Sequence, residues 1–224
     1  MSIPAQSYSS LKLFEQCPRK YYHLRVLKDH KEPMSEAMLY GNRMHKAAEN
    51  YVSDGTPLPP YFSYVKSTLD NLMQFKGERL CEFKLGLTKD LEPCSFGHKD
   101  VWFRGIIDLA ILDHEKGEGR ILDYKTGKSA KYADTGQLEL MALGVFKHFP
   151  HIKKIKAGLL FVIANAFIKD SYDVSMEKKL WAKWLGEYKR IEYAFSSSVW
   201  NPNPSGLCKK HCVVTSCPHN GANK

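Results

Sequence analysis

Val101-Trp102-Phe103-Arg104-Gly105-Ile106-Ile107-Asp108-Leu109-Ala110-Ile111-Leu112 and, after His114-Glu115-Lys116-Gly117-Glu118-Gly119, Arg120-Ile121-Leu122-Asp123-Tyr124 are the segments whose reading decides the fold. Val101, Phe103, Ile107, Leu109 and Ile111 recur at the two-residue period of a strand with one face on a core. The intervening glycines permit a reversal, so the two segments are predicted to pair as an antiparallel hairpin. On that reading Asp108 points away from the main core, on the face of Trp102, Arg104 and Ile106. On the returning strand Leu122 and Tyr124 share the core side, which leaves Asp123 and Lys125 together on the other face. With the turn centred between Lys116 and Gly117, Asp108 pairs opposite Lys125 and Asp123 lies on the diagonal, roughly 7–8 Å away. A one-residue slip would send the set to opposite faces.

Two carboxylates and a lysine on one face of a core sheet need partners, because buried charge is costly. A surface ion pair between Lys125 and either aspartate is the plain explanation. The chemical one is a metal site, since hard carboxylate oxygens suit Mg²⁺ or Mn²⁺. Such an ion polarises a phosphate and lowers the pKa of bound water. Lys125 would place that water and offset charge building on the phosphate.

Outward from the hairpin, Cys81, Phe83, Leu85 and Leu87 alternate with polar residues as a half-buried strand does. Ala157 to Ala164 is an apolar run of strand length, read as a central strand. Helices are predicted over Ser9–Arg25, capped by Ser9 or Ser10, and over Leu39–Val52, where His45 and Glu49 stand one turn apart. Others are expected around Tyr61–Phe75, after a Gly- and Pro-rich breaker, and over Gln137–Phe149. In a last helix Trp181, Trp184, Tyr188, Ile191 and Phe195 line one side, a stripe that reads as core rather than as a base-stacking platform. The expected fold class is α/β: a central mixed β-sheet flanked by helices. A single domain over 1–224 is expected, with residues 9–38 and 196–224 forming a helical, cysteine-bearing staple.

Lysine and arginine total 33 against 24 acidic residues, a net charge of +9. That balance suits a polyanion, with nucleic acid ahead of an anionic membrane, although charge of this size also serves solubility alone. No stretch approaches the ~20 apolar residues of a membrane helix, and Met1 to Ser10 lack the regions of a signal peptide. A cytoplasmic location is therefore expected, where cysteines are thiols or metal ligands rather than disulfides. Cys208-x3-Cys212-x4-Cys217 has the close spacing of metal ligands, whereas Cys81 reads as a packed core residue.

Gly105-Ile106-Ile107-Asp108 followed by Ile121-Leu122-Asp123-Tyr124-Lys125-Thr126-Gly127-Lys128 resembles motifs II and III of the PD-(D/E)XK nuclease superfamily, and Gly41-Asn42-Arg43-Met44-His45 is similar to the GxxxH pattern of its RecB-type branch. The resemblance implies a restriction-endonuclease-like core. It implies His45, Asp108, Asp123 and the Tyr124 carbonyl as ligands for one or two Mg²⁺ or Mn²⁺ ions, with Lys125 as the catalytic lysine. The branch places a glutamine on the next helix, which Gln137 matches as a substrate or water contact; its usual tyrosine four residues on is Met141 here. Phe14-Glu15-Gln16-Cys17-Pro18 looks like the first cluster motif of iron-sulfur nucleases, AddB-like and CRISPR-associated adaptation nucleases among them. By that resemblance Cys17, Cys208, Cys212 and Cys217 would hold a [4Fe-4S] cluster or, alternatively, Zn²⁺; His211 is a competing zinc ligand.

The implied function is metal-dependent hydrolysis of DNA, with exonuclease action on single strands or ends ahead of endonuclease action, in recombination, repair or phage DNA metabolism. A helicase or recombinase is the implied partner, and no membrane. Arg19, Lys20, Arg104 and Lys128 are the candidate DNA contacts. The alternative is a non-catalytic DNA-binding scaffold that keeps the nuclease fold and the metal staple.

Overall fold

In a computed structural model, which describes residues 3–223, the chain divides into two compact units. Met1–Pro33 with Trp181–Lys224 form one, and Met34–Leu180 the other. The first unit opens with α1, Tyr8–Gln16. Its cap is Ser7, two or three residues earlier than expected: the Ser7 hydroxyl accepts from Ser10 N–H, and Ser10 Oγ accepts from Ser7 N–H. The helix expected to run to Arg25 breaks at Cys17, which is extended at φ −164°. Pro18 is the cause, because a proline clashes with a helical predecessor; it then occupies the first turn of α2, Pro18–Tyr21. A π-helical turn, Tyr22–Leu27, follows and stops at left-handed Lys28.

The second unit begins with α3, Glu36–Asp54, running from the Ser35 cap to left-handed Gly55. A 3₁₀ turn at Pro60–Val65 and α4, Lys66–Met73, replace the single helix expected over Tyr61–Phe75. The sheet comprises β1 (Glu78–Leu87), β2 (Pro93–Cys94), β3 (Phe103–Asp113), β4 (Glu118–Lys125), and then, after α5 (Gly136–His148), β5 (Lys154–Phe161) and β6 (Ala166–Asp173). Its order is β2-β1-β3-β4-β5-β6. Only β4 and β5 are parallel, and α5 is the crossover that a parallel pair requires, so the sheet is mixed as expected. Strands β2 and β6 were not anticipated. In β6 Phe167, Lys169 and Ser171 remain exposed, which gives this edge strand little of the apolar pattern that identifies a buried one.

One face of the sheet is covered by α3 and α4, whose Met44, Ala48, Leu69 and Leu72 pack on Leu109, Ile111, Leu122 and Tyr124. Removing one of these leucine, isoleucine or methionine side chains from water contributes about 1.5–3 kcal/mol. The other face carries α5, and Leu138, Leu140, Met141, Ala142, Leu143, Val145 and Phe146 are all buried, on more than the single face expected. Gly144 allows the close approach: a Cβ there would lie 2.7 Å from Leu85 Cδ2.

The hairpin forms with its register two residues from the one expected. Leu109 pairs with Leu122 and Asp113 with Glu118, which centres the turn between Glu115 and Lys116. Asp113 accepts from Lys116 N–H, and left-handed Gly117 closes the turn. An even shift preserves both faces. It nevertheless changes partners: continued one rung, the ladder sets Asp108 opposite Asp123 instead of opposite Lys125. Nor do the aspartates face open solvent, with Asp108 8% and Asp123 4% exposed.

The chain re-enters the first unit through α6, Glu177–Ser197, where Trp181, Trp184, Tyr188 and Ile191 are buried as a core stripe. Trp200 is that unit's aromatic hub, stacked on Tyr22 at 4.7 Å and edge-on to Phe195 at 5.0 Å. Among the described residues no helix is long and apolar enough to cross a membrane.

Candidate metal centre

Residue His45 is carried by α3 to the point where β3 and β4 cease to pair, and it engages both strands. Its Nε2 lies 3.0 Å from the Tyr124 carbonyl oxygen, and its Nδ1 lies 3.4 Å from Asp108 Oδ1. Asp108 is fixed by its other oxygen, which accepts from Tyr124 N–H at 2.6 Å. Gly41, one turn before His45, packs where a Cβ would meet Thr126 Oγ1 at 3.2 Å. The glycine therefore lets α3 sit against the loop that follows β4.

A third acidic residue joins them. His45, Glu82 and Asp108 each offer a ligand atom, all within 4.8 Å of one another. The sequence pattern assigns Glu82 to the solvent side of an alternating strand, and the structure corrects this. Glu82 has φ 48°, a left-handed conformation in mid-strand. On either side of it β1 packs on different faces: Cys81 joins the cluster under α3 and α4, while Leu85 abuts Gly144 of α5. No feature of the local sequence announces that switch.

Asp123 lies outside this trio and belongs to a second set. Lys125 Nζ stands 2.6 Å from Asp123 Oδ2 and donates to Gln137 Oε1 at 2.9 Å, while Gln137 Nε2 donates to Asp123 Oδ1. The ammonium approaches Oδ2 off hydrogen-bond geometry, so this buried oxygen keeps an unused lone pair. The glutamine thus spans both ends of the Asp123–Lys125 pair.

The electrostatics are those of crowded acids. Burial and the neighbouring Asp108 charge push the Asp123 carboxyl up to about 6, against the pull of Lys125 and His45. Burial and Asp108 likewise raise Glu82. Burial draws His45 down, but Asp108, Asp123 and Glu82 together outweigh it and leave the imidazole raised. Raised acids and a raised imidazole mark a concentration of negative charge that a cation would relieve. The donor set of imidazole, carboxylates and a carbonyl suits Mg²⁺ or Mn²⁺. Two donors 3.0 Å apart, as His45 Nε2 and Tyr124 O are, match adjacent corners of an octahedron with bonds of about 2.1 Å.

Arg104 and Lys128 are exposed, the former with its guanidinium 5.0 Å over the Phe96 ring. In the first unit Arg19 is half-buried, and Lys20 is paired with Glu32 at 2.7 Å, which leaves its side chain 14% exposed.

The structure does not gather the predicted cysteines into a cluster. Among the described residues no three of Cys17, Cys208, Cys212 and Cys217 bring their sulfurs within 4.8 Å of one another, and all are free thiols. Two of the sulfurs take backbone donors: Cys17 Sγ accepts from Lys20 and Asn203 N–H, and Cys208 Sγ from Ser205 N–H. The ends of this unit are joined by Asn203, whose side chain also donates to Gln16 O. A different trio, His23, Asp29 and His30, does gather within 4.8 Å there, with both imidazoles on the one exposed carboxylate.

Residues 5–220 match the family model described as the PD-(D/E)XK nuclease superfamily. Among solved structures, one from Eubacterium rectale, described provisionally as an exonuclease, is 12% identical over 96% of this chain and 88% of its own, with a TM-score of 0.56. At that identity the likeness is one of fold. The protein SSO0001 is 13% identical over 98% of this chain and 89% of its own, at a TM-score of 0.44. No curated protein matches in sequence.

Proposed function

Because the chain belongs to the PD-(D/E)XK nuclease superfamily, we propose that it is a Mg²⁺- or Mn²⁺-dependent deoxyribonuclease of the RecB-type branch, acting on single-stranded DNA or DNA ends. The observation that carries this reading is the pair of adjoining sets. One, His45, Glu82, Asp108 and Tyr124 O, offers donors for a cation; the other, Asp123, Lys125 and Gln137, holds an ammonium beside it.

A bound ion would supply Lewis acidity toward the phosphate and a more acidic water. The remaining work falls to the chain. His45 and Asp108 would hold the ion from two elements, α3 and β3, and Asp123 is close enough to both for its charge to be felt. Lys125 sits between Gln137 Oε1 and Asp123 Oδ2, where a fixed ammonium can meet negative charge growing on a phosphate. Gln137 orients both partners and can turn its amide to a water or a phosphate oxygen. Exonucleolytic action draws support from the neighbour described provisionally as an exonuclease. The net charge of +9 supports a polyanionic substrate.

The test is degradation of end-labelled single- and double-stranded DNA with Mn²⁺ or Mg²⁺, beside the Asp108→Ala and Lys125→Ala variants. Metal-dependent shortening by the parent and its loss in both variants is the expected result. Undiminished activity in either variant would mean that the chemistry lies elsewhere.

A further inference from the structure

A cavity of 570 Å³ is lined by residues that belong to neither set of the metal centre. Its floor is the stretch of sheet that α3 and α4 leave open. Arg120, Lys156 and Ser171 form one rung across β4, β5 and β6, and Leu122, Gly158 and Lys169 form another on the same face. Three cations therefore share a small area. Arg120 and Lys156 are direct cross-strand partners, an arrangement that like charges make unfavourable. None of the three forms an ion pair with a carboxylate among the described residues, and Asp170 is the only acid lining the cavity. Such a surface calls for an anion from outside.

Aromatic faces accompany the charges. Gly158 leaves a gap that the Phe167 ring fills: a Cβ at 158 would stand 2.0 Å from Phe167 Cε2. The ring thus leans over the floor while remaining 44% exposed, with Lys169 Nζ 5.2 Å from its centroid. On the opposite wall the Arg120 guanidinium lies 4.0 Å from the Phe75 centroid. Cations held against exposed rings are the combination that serves single strands, where phosphates take the charge and bases stack on the rings. An acidic peptide would use the cations and leave the rings idle. The volume falls in the range of pockets that hold one small molecule, enough for one or two nucleotides.

We propose that this groove is a second docking site for single-stranded DNA, separate from the metal centre and holding nucleotides remote from the scissile phosphate. The proposal rests on the nuclease reading for the identity of the strand. Arg120 lies three residues before Asp123 on β4, about 10 Å along the strand and on the opposite face. Contacts in the groove would therefore set how tightly a long strand is held and would not touch the phosphate being cut.

The test measures binding and cleavage separately. Fluorescence anisotropy with a labelled 30-nucleotide single strand, in EDTA, should show that Lys156→Glu/Lys169→Glu raises the Kd at least tenfold and flattens its salt dependence. Losing two phosphate contacts should reduce the log–log slope by roughly 1.4. Phe167→Ala should weaken binding fivefold or more, while Phe167→Trp, which keeps a ring, should retain it. Hydrolysis of bis(p-nitrophenyl) phosphate, too small to reach the groove, should be unchanged in every variant. Parent-like oligonucleotide binding by the double variant would overturn the proposal, as would a poly-glutamate peptide that binds the parent more tightly than the oligonucleotide does. Should the parent cleave nothing yet bind the strand through these residues, the nuclease reading falls and the groove stands.

Discussion

His45 Nε2 lies 3.0 Å from the Tyr124 carbonyl oxygen, a contact that joins α3 to β4 across 79 residues of chain. With its other nitrogen facing Asp108, the imidazole holds the helix to both strands that carry the aspartates. His45→Ala removes a donor from the proposed cation site and one link between those elements. Calorimetric titration should show Mn²⁺ affinity falling at least tenfold, while the loss of a partly buried hydrogen bond costs stability only about 1 kcal/mol. A variant that binds Mn²⁺ as the parent does would remove His45 from the ligand set.

The raised Asp123 carboxyl gives the second prediction its sign. Burial first, and repulsion by Asp108 second, make the folded chain hold this proton more tightly than the unfolded chain does. Metal-free stability should therefore fall as pH rises from the ordinary carboxylate value near 4 to about 6, and the Asp123 contribution should be level above that. A bound cation reverses the balance, so its affinity should climb over the same window as the proton is displaced. Denaturant titrations at pH 4.5 and 7, with and without Mn²⁺, read both effects against Asp123→Asn, in which this part of the pH dependence should vanish.

Lys125 is held between Gln137 and Asp123 and lies outside the trio formed by His45, Glu82 and Asp108. Lys125→Met should accordingly lower kcat by about 10²–10³-fold, the scale seen when one charge-stabilising donor is removed, while leaving Mn²⁺ affinity within a few-fold of the parent. Gln137→Ala should act in the same direction and more weakly, because the ammonium retains Asp123. Metal titration beside single-turnover cleavage distinguishes the two roles. A parallel loss of affinity and rate would mean that Lys125 acts through metal binding and not on the phosphate.

Much of this arrangement is legible in the residues, and where it is not the reasons are physical. The alternation from Val101 to Ile111 shows which residues form β3, and Gly105-Ile106-Ile107-Asp108 with Asp123-Tyr124-Lys125 marks the chemistry. The turn register is less visible. A shift of two residues changes no face, so the apolar pattern cannot distinguish Asp108 opposite Lys125 from Asp108 opposite Asp123. Burial of the aspartates was hidden for a related reason: a strand pattern shows what lies on each face and not which helix covers it. β6 escaped because an edge strand needs no continuous apolar run. The cysteine spacing suggested a metal, but spacing fixes separation along the chain only, and among the described residues no three of these sulfurs come within 4.8 Å of one another.

Glu82 is the residue no pattern exposed, and its backbone offers a way to separate strain from function. A left-handed non-glycine residue costs about 1–2 kcal/mol, and such strain is retained where it orients a functional group. Glu82→Gly relieves the strain and removes the carboxylate; Glu82→Gln keeps the strain and removes only the charge. The glycine variant should match or exceed the parent in stability by up to about 1 kcal/mol, since glycine's added freedom in the unfolded chain offsets part of the relief. Both variants should bind Mn²⁺ more weakly, by tenfold or more. Should both bind as the parent does, the left-handed turn at Glu82 would serve only to switch β1 between the two faces of the sheet, and His45, Asp108 and Tyr124 O would form the site without it.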